Sequence, residues 1–182
     1  KVQAKSIAAS GPVNWCGDED ICWLLNNRIP TVLAVERELW EHPECPYLSA
    51  LVHIVKAIGS CRLSRQLPGL LERARSVESK REILKAMAEL RDPDSLAALE
   101  KFLKEAGPGT PEVLVVEAAE GLGQTRGEQY LPLLRRVGSA ARPGPESLRI
   151  AGSRYRCGDS SMVAPILSAL RDGRSDLEGQ LW

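Results

Sequence analysis

From residue 48 onward the apolar positions fall in stripes with steps of three and four, and the stripes come in pairs separated by short polar breaks. The first stripes are Leu48, Leu51, Val52, Val55 and Ile58, then Ile83, Leu84, Met87 and Leu90, then Leu114, Val115, Ala118 and Leu122. The second stripes are Leu67, Leu70, Leu71 and Ala74, then Leu96, Leu99, Phe102 and Leu103, then Leu131, Leu134 and Val137, then Val163, Ile166, Leu167 and Leu170. Such spacing marks one buried face of a helix. The pattern therefore predicts helices joined in pairs.

The leading residues of the second stripes, Leu67, Leu96, Leu131 and Val163, lie 29, 35 and 32 residues apart, a repeat period in the low thirties. Ile58 to Leu67, Met87 to Leu96 and Leu122 to Leu131 are each nine residues, so the turn inside each pair has constant length. Pro68 and Pro132 follow the leading residue, where a first helical turn tolerates a missing amide hydrogen. Gly107-Pro-Gly-Thr-Pro111 and Arg142-Pro-Gly-Pro145 interrupt the chain between pairs. An upstream unit is expected from Ile29-Pro30 followed by Val32, Leu33, Val35 and Leu39, preceded by a short helix over 19–26. A single pair of this kind cannot bury its apolar face alone, so neighbouring pairs must stack on one continuous core. The expected fold is all-α, an α-solenoid of four to five antiparallel helix pairs over 15–175, with an irregular segment over 1–14 and a tail over 176–182.

At RDPDSLAALEKFL (91–103), LGQTRGEQYLPLL (122–134) and CGDSSMVAPIL (157–167) the chain resembles the HEAT-like repeat family, in the short bacterial form also seen in phycobilisome-lyase-type repeats. Asp92-Pro93 matches the family's Asp-Pro turn and Asp159 matches its aspartate, whereas Leu63 and Gly127 depart from it and interrupt the aspartate ladder. The Trp-x2-Leu-Gly-x2-Tyr signature of tetratricopeptide repeats is absent. The resemblance implies scaffolding: a protein partner bound across the concave face lined by the second helices, no cofactor and no catalysis. The His-Glu pairs of HEAT-like di-iron hydroxylases are missing, and no residue can be assigned to bilin lyase chemistry.

Composition narrows the alternatives. With 182 residues, 43% hydrophobic and 26% charged, the chain has the make-up of a soluble globular domain. It contains 24 basic and 24 acidic side chains, and no apolar run reaches the roughly 18 residues that span a bilayer. No signal-peptide order opens the chain, and Lys1 in place of an initiating methionine reads as a fragment or a processed product, one part of a longer chain or complex. Five thinly spread cysteines fit a reducing, cytoplasmic compartment.

The stretch NWCGDEDICW (14–23) raises a chemical question. Asp18 suits a helix N-cap, Glu19 and Asp20 complement the helix dipole, and Cys22 with Trp23 suits the start of a buried stripe. Against this structural reading stand a zinc set of Cys16, Cys22, His42 and Cys45, and a disulfide from Cys16 to Cys22 or Cys45. The Cys16 to Cys22 spacing is wider than in common zinc sites. With two histidines, His42 and His53, and no Gly-x-Ser-x-Gly, His-Glu-x-x-His or Walker sequence, no catalytic set is found.

Charge is balanced in sum but not along the chain. Residues 62–91 hold eight basic and four acidic side chains, 92–125 two and seven, and 126–182 nine arginines, no lysine and six acids. Arg135, Arg136, Arg149, Arg154, Arg156, Arg171 and Arg174 lie in or beside helix ends, where cations complement the dipole. The alternative is an arginine-rich carboxyl-terminal surface for an acidic partner, or for nucleic acid phosphates. Arg154 stands at a position where other repeats place a core residue, marking 146–172 as an atypical, terminal repeat. For the second-helix face the expected contact residues are Arg73, Glu100, Lys104, Arg135, Arg136 and Arg171, joined at the arginine-rich end by Arg149, Arg154 and Arg156.

Overall fold

A computed structural model describes residues 28–42, 44 and 64–171. Every regular element among them is helical: α1 Arg28–Glu41, α2 Leu67–Arg73, α3 Val77–Leu90, α4 Pro93–Glu105, α5 Glu112–Gly123, α6 Leu131–Ala140, α7 Pro145–Arg156 and α8 Val163–Arg171. Single 3-10 turns, Glu128–Tyr130 and Ser160–Met162, lead into α6 and α8. The stripes of α2 to α6 sit where the periodicity puts them, and α1 covers the second helix expected upstream. The Leu48–Ile58 stripe and the helix expected over 19–26 lie outside the described residues. The fold is that of an all-α, HEAT-like helical solenoid. The chain divides into two compact units, Lys1–Ala86 and Met87–Trp182, with the division inside α3.

In the first unit Val35 and Leu39 bury the inner face of α1, and Leu67, Leu70, Leu71 and Ala74 bury that of α2. Pro68 stands in the first turn of α2, as its fixed φ favours. The start of α3 is closed from a distance. The Glu44 carboxylate accepts hydrogen bonds from the amides of Arg75 and Ser76 and, at 2.9 Å, from the Ser79 hydroxyl.

In the second unit, α4 opens on Asp92, whose extended backbone and side-chain Oδ1 form an N-cap, accepting from Asp94 N at 3.1 Å and Ser95 N at 3.0 Å. Pro93 follows at the first helical position. Gly127, at the equivalent place in the next repeat, has no side chain with which to cap, and a 3-10 turn intervenes before α6. The helices stack in series: α5 on α4, α7 on α5, α6 on α7 and α8 on α7, with α4 and α6 also touching. First helices α5 and α7 thus form one layer, and second helices α4, α6 and α8 the other.

The first-helix layer is the tighter. A Cβ on Gly123 would stand 2.6 Å from the Ser153 Cβ and 2.7 Å from its Cα, so α5 and α7 meet almost backbone to backbone. Only small residues allow that approach, and Ala151, Gly152 and Ser153 supply them on α7. Helix α5 is buried nearly all round, through Leu114, Val116, Ala118, Ala119 and Leu122.

A further periodicity comes from the backbone. The turn residues Arg91, Arg126 and Gly158 adopt positive φ, at 53°, 55° and 98°, each just before the family's aspartate position. Their spacing, 35 and then 32, equals that of Leu96, Leu131 and Val163. The second helices α4, α6 and α8 therefore each start from a left-handed step.

Helix α8 departs from expectation. Val163 and Leu167 were expected in the core, but they are 39% and 47% exposed, and Ala169 is the buried residue of the helix. Val163 falls at the register of Leu96 and Leu131, where α4 and α6 are packed by the first helix that follows, whereas Leu167 falls at that of Glu100 and Arg135, on the outer side. No helix follows α8 among the described residues.

Candidate interaction surface

The outer positions of the second helices fall into register. Glu100 on α4, Arg135 on α6 and Leu167 on α8 are separated by the repeat steps of 35 and 32, and each follows directly on a stripe residue: Leu99, Leu134 and Ile166. Lys104 pairs with Glu100 one turn back at 2.6 Å. Arg136 and Arg171 are exposed beside this row. The row thus passes from a charged pair on α4, through arginines on α6, to an apolar side chain on α8. In the first unit Arg73 lies over the Trp40 ring, 4.3 Å from its centroid, and Trp40 is itself 53% exposed. Periodicity had no means of finding Trp40, because it lies off the buried stripe of α1. An exposed tryptophan with an arginine on its face is the available signal.

Arg149, Arg154 and Arg156 turn inward. Arg149 grips Glu120 with both arms, Nε to Oε1 at 2.8 Å and Nη2 to Oε2 at 2.5 Å, and reaches Glu117 at 3.4 Å. This links α7 to α5. Burial works against the Arg149 charge, but the bonds and charges of Glu120 and then Glu117 outweigh it and hold the guanidinium above the usual arginine range. Arg154 donates from Nε at 3.1 Å and Nη2 at 2.8 Å to Oδ2 of Asp159, which also accepts from Arg135 Nε at 3.1 Å, while Ser161 donates to Oδ1 at 2.6 Å. The bonds from Arg135, Ser161 and Arg154 hold the Asp159 carboxyl well below the ordinary aspartate range, although burial opposes this. Asp159 therefore occupies the family's aspartate position but binds guanidinium groups instead of capping α8.

Arg154 thereby explains its place in a core register. It is inward-facing, and its charge is met by the aspartate five residues on. Arg156 is half-buried and bonds the Ser153 hydroxyl at 3.2 Å, while its Nε has no partner. Burial, reinforced by the Arg126 charge, lowers its affinity for the proton. Arg136 extends Nη2 to the carbonyl oxygens of Leu103 at 2.5 Å and Lys104 at 3.2 Å, closing the carboxyl end of α4 from the neighbouring second helix. The arginines grouped by sequence thus separate into an inner set, Arg149, Arg154 and Arg156, and an outer set, Arg135, Arg136 and Arg171.

Of the zinc set, Cys16, Cys22 and Cys45 lie outside the described residues, and His42 is exposed at the end of α1. Among the described residues no group of three or more histidine, cysteine, aspartate or glutamate side chains is arranged to hold a metal ion. Cys157 is buried and free, and burial raises its thiol above the usual range. No described helix is long and apolar enough to cross a membrane.

Neither curated proteins nor solved structures gave a match to the chain. A family model did: residues 79–105, all of α3 but its first two residues, the turn at Asp92 and the whole of α4, match the PBS lyase HEAT-like repeat. The matched segment contains the left-handed Arg91, the Asp92 cap and the Leu96, Leu99 and Leu103 stripe from which the repeat pattern was read. The chain carries a HEAT-like repeat.

Proposed function

We propose that the protein is a non-catalytic scaffold that binds another protein across the outer face of its second helices, α4, α6 and α8. The observation that carries this reading is Leu167. It stands in the register that holds Glu100 and Arg135 in the preceding repeats, and places an apolar side chain on a surface otherwise lined with charge. An apolar centre with an arginine-rich border has the composition of a protein-binding patch. Val163 adds to the centre, and Arg135, Arg136 and Arg171 form the border. Nucleic acid is the less favoured partner, because Arg149 and Arg154 are engaged by carboxylates within the fold.

The test is affinity capture of the full chain from its native cell, comparing wild type with Leu167→Glu and with Arg135→Glu. Loss of the same specific protein from Leu167→Glu, with an unchanged melting temperature, supports the reading. Retention of that protein by both variants contradicts it, as would steeply salt-dependent DNA binding by the wild type.

A further inference from the structure

Beside the second-helix face, the loop between α4 and α5 and the end of α6 enclose a groove of about 510 Å³. That volume lies within the range, roughly 300 to 1,000 Å³, of sites that hold a small ligand or a few residues of peptide. Its inner surface is apolar: Val115 from α5, Val137 and Ala140 from α6, Ile150 from α7, and Pro108 from the loop. The loop wall is preformed. Gly107 N donates to the Thr110 hydroxyl at 3.1 Å, and Thr110 N to the Gly107 carbonyl at 2.9 Å.

Two guanidinium groups stand at this groove. Arg142 is exposed, and its side chain makes no bond; only its backbone amide is engaged, by Glu112 at 3.2 Å. Arg136 has committed Nη2 to the α4 carbonyls and keeps Nε and Nη1 open. Glu112 is the acid at the groove, and it is turned to the Arg142 amide at the start of α5. An apolar trough with open guanidinium donors at its rim is complementary to an apolar side chain with a carboxylate beside it.

We propose that this groove docks a short peptide segment of a partner protein, carrying one apolar anchor residue within two positions of an aspartate or glutamate. The anchor sits on Val115, Val137 and Ile150, and the carboxylate pairs with Arg142 and the open edge of Arg136. This inference rests on the scaffold reading in one respect, that the occupant is protein, but its surface shares only Arg136 with the second-helix face.

A phage-displayed random heptapeptide library panned on the full chain provides the test, followed by titration of the selected synthetic peptides. The expected result is enrichment of an apolar residue near Asp or Glu. Affinity should fall at least ten-fold in Arg142→Glu, survive largely in Arg142→Lys, and be lost in Ala140→Trp, which fills the trough from an exposed position. Melting curves confirm that each variant is folded. Three outcomes overturn the proposal: no enrichment, selected peptides that bind Arg142→Glu and Ala140→Trp as tightly as wild type, or displacement of peptide by millimolar inorganic phosphate, which would assign the arginines to a phosphate ligand. None of these touches the capture experiment with Leu167→Glu, so failure of the groove and failure of the scaffold reading remain separate.

Discussion

Arg154 donates from Nη2 to Oδ2 of Asp159 at 2.8 Å, across the turn that joins α7 to α8. Asp159 is 3% exposed, so its charge depends on Arg154 and Arg135 for compensation, and theirs on it. Removing one partner of a buried pair leaves the other charge uncompensated in a poorly solvated place. Asp159→Asn should therefore destabilise the chain by about 3 kcal/mol, measured by urea denaturation at neutral pH. The same experiment on Arg171→Ala, an exposed end-of-helix cation, should show a change within about 0.5 kcal/mol.

Acid should weaken the fold through two carboxylates. Glu44 is lowered to about 2, chiefly by the Arg75 amide and then, against the opposing effect of burial, by Ser76 and Ser79; Asp159 also lies below its usual range. In the unfolded chain both titrate near 4. A depressed native pKa means that the unfolded state binds protons first, so the stabilisation is complete above roughly pH 5 and is lost as pH falls through 4 and below. Urea midpoints should fall steadily from pH 6 to pH 3. Asp159→Asn and Glu44→Gln should each lower stability at pH 6 and make its decline toward pH 3 shallower.

Gly123 tests the close approach of the first helices. At an ordinary helical site glycine to alanine stabilises by up to about 1 kcal/mol. Here the new methyl would meet the Cβ and backbone of Ser153 at 2.6 and 2.7 Å, atoms that cannot yield without moving α7. Gly123→Ala is expected to destabilise by about 1 to 3 kcal/mol. Gly107→Ala, with no atom within 4 Å of the added carbon, serves as the control and should change stability little.

The left-handed turns give a prediction of the opposite sign. Arg126 holds φ of 55° with a side chain that pays for the crowding. Arg126→Gly should raise stability by up to about 1 kcal/mol, the gain reduced somewhat by the extra freedom of glycine in the unfolded chain. Gly158→Ala, at φ of 98°, should lower it by at least a similar amount. Thermal melting of the two variants beside wild type reads both effects.

These positions also show what the amino-acid order discloses. Leu99, Leu103, Leu134 and Val137 were legible as core because a helix repeats its face every three to four residues, and all four are buried. The left-handed steps at Arg91 and Arg126 were not legible, since neither position carries a glycine. Arg149 could be placed at a helix but not against Glu117 and Glu120, because that pairing joins residues 32 and 29 apart that meet only once α5 and α7 stack. Leu167 was read as buried for a related reason. Periodicity identifies an apolar position, whereas a neighbouring element decides whether it is covered. The groove beside Arg142 was invisible, being built from a loop and the ends of three helices.

The central claim, a serial stack that works through its second-helix face, is tested most directly by hydrogen exchange of the full chain with and without its captured partner. Alone, the chain should protect α5 and α7 most strongly and α8 least, since α8 has a single buried residue. On adding the partner, protection should rise in α6 and α8 while α5 and α7 stay unchanged. Protection gained on the first helices α5 and α7 alone, or an α8 as protected as α5 before any partner is added, would contradict the account.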